Sequence, residues 1–326
     1  MSLTSMLDTT LDRSVLGYTR IGPSLRRRSW PRDPEPGAMR GRTVLVTGAT
    51  SGLGEETAAG LAALGAVVHV HGHDPDHLED ALTRLRGRLP DGDFVGELCD
   101  LSDLSAVRAF ADDLSDRVPQ LHALVHNAGT MSPERRETEQ GHEFTLATMV
   151  LGPHLLTDRL TGPLSAGKAI VVFMSSGGMY AAGLKADDPE FTEDSYSGPK
   201  AYARVKRMQV VLAEMWAERL ERDHVQVSSM HPGWVDTPGV RAYLPKFRAL
   251  TRPFMRSAAQ GADTMIWLVS TRPETEGSAR FWHDRRPRPT SYGPARDRDP
   301  HDRVRLWNYV ADATDTGRWP TAPRTV

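Results

Sequence analysis

From Thr43 onward, short apolar runs alternate with longer helical patterns, and that alternation restricts the fold more than any other feature of the chain. TVLVT, AVVHVH, DFVGELC, HALVH, AIVVFM and VQVSSM are the short runs, and most carry several β-branched residues, which suit a pleated backbone. Between them lie helical patterns over 53–64, 76–88, 103–117, 138–161 and 201–222. Strands alternating with helices build βαβ units and a parallel sheet. Helices cover both faces of such a sheet, so its strands can be apolar throughout. The expected fold class is α/β, a doubly wound parallel sheet, in a single domain over residues 41–283. Ligands of this architecture bind at the carboxyl ends of the strands, near the switch point.

Two extensions flank that domain. Residues 1–40 mix scattered apolar residues with Arg26, Arg27 and Arg28 and four prolines. They read as a partly ordered arm with solvated arginines. A basic patch on a membrane surface is the sharper alternative, but no clean helical stripe supports it. Residues 284–326 open with the Arg/Asp/Pro-rich DRRPRPTSYGPARDRDPHDR, a loop, followed by RVRLWNYVADA, a short helix whose Leu306 and Trp307 would dock on the body.

Composition narrows the partners. A net charge of -2 over 326 residues gives no reason to invoke nucleic acid. With Cys99 as the single cysteine, no intrachain disulfide can form, which fits a reducing compartment and a cytoplasmic location. Cys99 reads as a small buried residue rather than a nucleophile. The longest apolar stretch, TAAGLAALGAVVHVHG, is too short for a bilayer span of about 20 residues. The N-terminus lacks the charged start and apolar run of a secretory signal. Met215 and Trp216 are read as core or subunit-contact residues, so a homo-oligomer stays open.

The first strand runs into TGATSGLGEETAAGLAALG. Gly48 permits a tight turn, Gly52 lets the backbone approach a pyrophosphate, and Gly54 lets the next helix pack on the sheet. The helix start then offers unpaired N–H groups and a positive dipole end to phosphates. Gly48, Thr50, Ser51, Gly52, Leu53 and Gly54 are therefore candidate cofactor-binding residues of a Rossmann fold. No Gly-Lys-Ser/Thr follows, which excludes a P-loop. At the end of the second strand, VVHVHGHDPDH puts Gly72 where an acid would select NAD, and His73 follows it. That points to NADP over NAD, with Asp74 opposing. His69, His71, His73 and His77 lie close together, but no cysteine joins them and no metal is expected.

The segment DSYSGPKAYARVKR contains Tyr-x-x-x-Lys twice, as Tyr196/Lys200 and Tyr202/Lys206. The spacing has meaning on a helix, where i and i+4 share a face. Gly198 and Pro199 deny the first pair that helix. Residues 201–222 contain neither Gly nor Pro, and apolar residues at 205, 208, 212 and 215 have helical spacing. Pro199 then falls near the first turn, where proline is tolerated, and the helix starts close to Lys200. Tyrosine titrates near 10, and a nearby ammonium lowers that value, so Tyr202/Lys206 is the chemical pair. Ser175 and Ser176, at the end of the fifth strand, are both available to hold a substrate oxygen.

TGATSGLG, HNAG, SSGG before YARVK, and HPGWVDTP follow one another in an order that resembles the short-chain dehydrogenase/reductase family over residues 42 to 283. The resemblance implies an NAD(P)-dependent oxidoreductase that moves a hydride between nicotinamide and a carbonyl or alcohol, with a lipophilic small molecule as substrate. It implies Tyr202 as general acid/base, Lys206 holding the nicotinamide ribose and tuning Tyr202, and Ser176 orienting the substrate oxygen. Asn127, Ala128 and Gly129 would line the cofactor, Asp100 and Leu101 would bracket adenine, and Pro232, Gly233 and Thr237 would contact the nicotinamide side. The interval 181–199 becomes a substrate-side loop. Two positions depart from the family pattern. His126 stands at the first motif Asn, and Met149 stands where a relay Asn is usual. Water, His154 or another group would have to replace it, or turnover would be slow. A nucleotide-binding sensor with little turnover is therefore the alternative function. His231 is expected to be structural.

Overall fold

The computed structural model describes residues 8, 10–12, 14–193, 195–274, 279–292 and 299–320. The expectations for the remaining residues of both extensions lie outside this set. Eight strands form one sheet: β1 (Thr43–Val46), β2 (Val67–Gly72), β3 (Asp93–Leu98), β4 (Ala123–His126), β5 (Ile170–Met174), β6 (Gln226–Met230), β7 (Phe281–His283) and β8 (Arg286–Arg288). Their order is β3-β2-β1-β4-β5-β6-β7-β8. Every pairing is parallel except the last, β7 with β8. The order reverses between β1 and β4, which places a crevice at their carboxyl ends.

Alternate strand residues face opposite sides, and both sides are covered. Leu45, Leu124, Val171 and Phe173 enter one core with the helices Leu104–Arg117 and Gly198–Leu220. Val44, Val46, Val125, Ile170 and Val172 enter the other, with Gly52–Ala63, Pro75–Arg88 and Ala258–Thr271. Side chains close the N-termini of several of these helices. Asp74 accepts from His77 N–H, Asp103 from Ser105 and Ala106 N–H, and Ser257 forms a reciprocal capping box with Gln260. Ser51, before Gly52–Ala63, makes no such bond.

Four boundaries differ from those expected. The helix expected over 138–161 begins at Phe144, because Gly141 at φ +82° turns the chain and Glu143 caps the new start by accepting from Leu146 N–H. The long helix begins at Gly198, ahead of Lys200. A Cβ at residue 198 would lie 2.3 Å from the Ser132 carbonyl, so a glycine is needed where the helix meets that backbone. The expected domain end at 283 falls inside a hairpin, since Asp284 and Arg285 adopt φ +51° and +57° and turn β7 into β8. The C-terminal helix starts at Pro300, capped by Asp299, and its Leu306 and Trp307 are fully buried, with Trp307 4.9 Å from Trp216 between ring centroids.

The arginine cluster of the arm is split. Arg27 and Arg28 are exposed, but Arg26 is buried and donates to Asp284 at 2.7 Å and to Asp8 at 2.8 Å. Arg256, also buried, donates to Asp284 at 2.6 Å and to the Gly17 and Pro232 carbonyls at 2.7 and 3.1 Å. Burial pushes the Asp284 carboxyl up, but its neighbours His283, Arg256 and Arg26 outweigh that and hold it far below the usual carboxylate range, the two arginines supplying the standing charge.

Candidate active site

The turn after β1 is held open from both sides. Gly48 sits at φ +60° and Gly52 at φ +58°. A Cβ on Gly48 would meet the Ala128 backbone at 2.6 Å, and one on Gly54 the Gly48 carbonyl at 2.2 Å. Asn127 Nδ2 donates to the Thr47 and Gly48 carbonyls at 3.0 and 2.9 Å, while Thr47 Oγ1 accepts from Asn127 and Ala128 N–H at 3.0 and 3.1 Å. Thr47, which the sequence reading missed, and Asn127 thus lock the β1 turn to the β4 end. The buried His71 ring accepts from Gly48 N–H at 3.3 Å, and burial holds it neutral, with its pKa down at about 4. The start of Gly52–Ala63 has no side-chain cap, so its first N–H groups are available to an anion.

The adenine side is mixed. Gly72 ends β2, and a Cβ there would strike Thr50 at 2.6 Å. His73 is exposed, while Asp74 accepts from His77 N–H at 2.9 Å. Arg84 donates to the Thr50 carbonyl at 2.9 Å and pairs with Glu55, a basic group at this edge that a separation of 34 positions hides from a motif search. Asp100 accepts from Ser102 N–H at 2.8 Å, and Leu101 is buried behind it. Of the histidines in HVHGHDPDH, His69 pairs with Glu97 at 2.7 Å and His71 with Gly48. Among the described residues, no three His, Cys, Asp or Glu side chains converge as a metal site would require. Cys99 is a buried thiol pushed up to about 12.

After β6, Pro232 and Gly233 form a turn, with Gly233 at φ +81° against Arg256. Thr237 caps Pro238–Tyr243 by accepting from Val240 N–H. Its Cγ2 would lie 3.7 Å from a Cβ on Gly52. The loop after β6 therefore faces the loop after β1 across the crevice. His231 is buried, stacked on His283 at 3.8 Å and tilted against Tyr18 of the arm at 5.0 Å, and held neutral by burial.

At the β5 end the two serines separate. Ser175 is 1% exposed, and its hydroxyl donates to the Lys206 backbone carbonyl at 2.9 Å. Ser176 is less buried; its hydroxyl lies on the Tyr202 side and accepts from Gly178 N–H at 3.1 Å. Burial pushes Tyr202 up to about 12, the opposite of the lowering expected from Lys206, with only the neighbouring Ser176 hydroxyl acting downward. Lys206 is 2% exposed, its Nζ 5.4 Å from the Tyr202 ring centroid. Nζ donates to the Met174 carbonyl at 2.5 Å and to Gln209 Oε1 at 3.0 Å. Burial brings its pKa down to about 7. Tyr196 lies elsewhere. Its hydroxyl donates to Glu143 Oε1 at 2.9 Å, and Lys200 is exposed in the first helical turn.

The other marked positions are occupied. His126 bonds Thr157 at 2.8 Å and stacks on Phe173, neutral by burial at about 3. His154 bonds Thr316 at 3.0 Å among Trp216 and Trp307, so it does not reach Lys206. Met149 belongs to a five-residue π turn, Ala147–Leu151, of a kind that often marks functional sites. Its Sδ accepts from Thr130 N–H at 3.4 Å, a weak acceptor role.

The glycine turn and the Ser–Tyr–Lys cluster lie at the carboxyl ends of the strands of one sheet, and residues 42–246 match the family model described as short chain dehydrogenase. The chain belongs to that family, as an NAD(P)-dependent oxidoreductase acting on CH–OH/C=O groups. It is 39% identical over 273 residues to the human protein named Dehydrogenase/reductase SDR family member 12, covering 83% of this chain and 85% of that one. It is 35% identical to human Retinol dehydrogenase 14, covering 81% and 84%. A solved structure from Mycobacterium paratuberculosis superposes with TM-score 0.68 at 26% identity, covering 88% of this chain and 100% of that one. The NADP complex of RhlG from Pseudomonas aeruginosa gives 0.59 at 25%, covering 72% and 92%. Among the described residues, no helix is long and apolar enough to cross a membrane.

Proposed function

We propose that the chain interconverts a lipophilic carbonyl compound and its alcohol, with Tyr202 as general acid/base, Ser176 holding the substrate oxygen and Lys206 serving the nicotinamide ribose and Tyr202. The observation that carries this reading is the convergence of the Tyr202 phenol, the Ser176 hydroxyl and the buried Lys206, whose Nζ lies 5.4 Å from the Tyr202 ring centroid. A substrate oxygen placed between the two hydroxyls would be within reach of both. The nicotinamide, when bound, supplies or takes up the hydride. In the reductive direction Tyr202 gives its proton to the substrate oxygen as the carbon gains the hydride, and the resulting phenolate lies near a cation. A phenol that holds its proton at rest suits that direction.

Gly48, Thr50, Ser51, Gly52, Leu53 and Gly54 would take the pyrophosphate, Asp100, Leu101, Asn127, Ala128 and Gly129 the adenosine and inner ribose, and Pro232, Gly233 and Thr237 the nicotinamide. NADP is favoured over NAD, because Gly72 replaces an acid, Asp74 is engaged as a cap, and His73 and Arg84 stand at that edge. The RhlG complex with NADP points the same way. Retinol dehydrogenases among the relatives support a lipophilic substrate. The lone buried thiol agrees with a cytoplasmic setting.

The test is a fluorescence titration with NADPH and NADH, followed by a panel of lipophilic ketones and aldehydes with the natural chain and Tyr202→Phe. We expect tighter NADPH binding and turnover that vanishes in Tyr202→Phe. Nucleotide binding without any Tyr202-dependent turnover would favour the sensor reading that Met149 motivates.

A further inference from the structure

We propose that Gln209 replaces, in this chain, the relay asparagine whose position Met149 occupies: its Oε1 holds the Lys206 ammonium and its Nε2 couples that ammonium to the Met149 carbonyl. The inference rests on the Tyr202/Lys206 reading above.

Three observations carry it. Lys206 Nζ donates to Gln209 Oε1 at 3.0 Å, and Gln209 Nε2 donates to the Met149 carbonyl at 2.7 Å. The two contacts form a continuous buried chain, since Gln209 and Lys206 are 1% and 2% exposed. The Met149 carbonyl belongs to the π turn Ala147–Leu151, where the regular i to i−4 ladder is interrupted. The Met149 side chain has meanwhile turned to the loop after β4, with Sδ on Thr130 N–H and Cε 3.7 Å from a Cβ on Gly129. The side chain at the relay position thus faces the cofactor loop, and the backbone at the same position faces Lys206 through Gln209.

Gln209 is a positioning residue, acting on the reaction through Lys206. An ammonium has three donors. The Met174 carbonyl and Gln209 take two of them, which leaves one for the ligand side. A buried cation with fewer acceptors favours its neutral form, and a neutral amine no longer steadies a phenolate. The glutamine amide suits this place better than a carboxylate, because it accepts from the cation and donates to a carbonyl at once.

Two near-isosteric variants test this. The chain has five lysines, Lys168, Lys185, Lys200, Lys206 and Lys246, so selective 13Cε-lysine NMR can follow each titration in the full chain. In Gln209→Leu, Lys206 should titrate about one pH unit lower than in the natural chain, and in Gln209→Glu it should titrate higher. With a substrate from the carbonyl panel, the pH profile of kcat/KM should shift in the same opposite senses. A merely structural glutamine would lower thermal stability in both variants without moving Lys206 in opposite directions. Unchanged Lys206 titration in the folded variants would overturn the proposal, and should Gln209→Leu fail to fold, Gln209→Glu decides alone. The NMR readout needs no turnover, so loss of the Tyr202 assignment and loss of the Gln209 role would be told apart.

Discussion

Two segments of this chain carry the same Tyr-x-x-x-Lys spacing, six residues apart, and the fold treats them in opposite ways. Tyr202 and Lys206 lie on one face of Gly198–Leu220 with Ser176 beside the phenol and Gln209 on the ammonium. Tyr196 precedes that helix, and Lys200 is exposed on its first turn. Tyr196 instead donates to Glu143, whose other oxygen accepts from Leu146 N–H and caps the helix containing Met149. Tyr196 thus anchors the segment before Gly198–Leu220, which is further pinned where Arg204 meets the buried Asp188 and stacks over Phe191. The spacing alone distinguishes nothing, and the partner each hydroxyl finds decides its use.

The sharpest way to break the comparison is the tyrosine exchange. Tyr202→Phe should lower kcat/KM by about 10²- to 10⁴-fold, the usual range for a lost acid/base. Tyr196→Phe should leave it within a few-fold and instead lower stability by roughly 1–3 kcal/mol, because Glu143 loses a buried donor. Steady-state rates and urea unfolding separate the two outcomes, and equal activity losses would sink the distinction. The two serines extend the test one strand away. Ser176→Ala should cost about 10²- to 10³-fold in kcat. Ser175→Ala should cost about 1 kcal/mol of stability, since its bond runs to the Lys206 carbonyl. A stability loss confined to Ser176→Ala would reverse their roles.

A further test concerns the lysines and pH. Burial depresses Lys206 from the ordinary lysine value to about 7. Between about pH 7 and 10 the unfolded chain then holds a proton that the folded chain lacks, so stability rises with pH across that window. Lys206→Met should flatten the rise in unfolding midpoints measured from pH 7 to 10, while exposed Lys200→Met should leave it unchanged. The same slope in Lys206→Met as in the natural chain would place the depressed group elsewhere.

Much of the fold was legible because its signals are local. Each of the six expected strands forms, and so do the helices expected over 53–64, 76–88, 103–117 and 201–222, within a few residues at their ends. The misses share a different cause. The 138–161 helix was overextended because Gly141 was passed over as a breaker. The hairpin at Asp284 and Arg285 needs left-handed φ at two residues that seldom adopt it, and Asp284 is held there by Arg26 and Arg256. Of the arginines expected to be solvated, Arg27 and Arg28 are exposed, and Arg26 departs because it meets Asp284, 258 positions along the chain.

By itself, the sequence determined the doubly wound sheet, the open glycine turn, and the face that joins Tyr202 to Lys206. Those features follow from periodicity and backbone freedom over a few neighbouring residues. Tertiary structure alone decided that Ser176 rather than Ser175 meets Tyr202, that Tyr196 serves Glu143, and that Gln209 stands between Lys206 and Met149. Each of those outcomes depends on which buried donor meets which acceptor once the helices have packed, and most of these partners lie tens of residues apart in the chain.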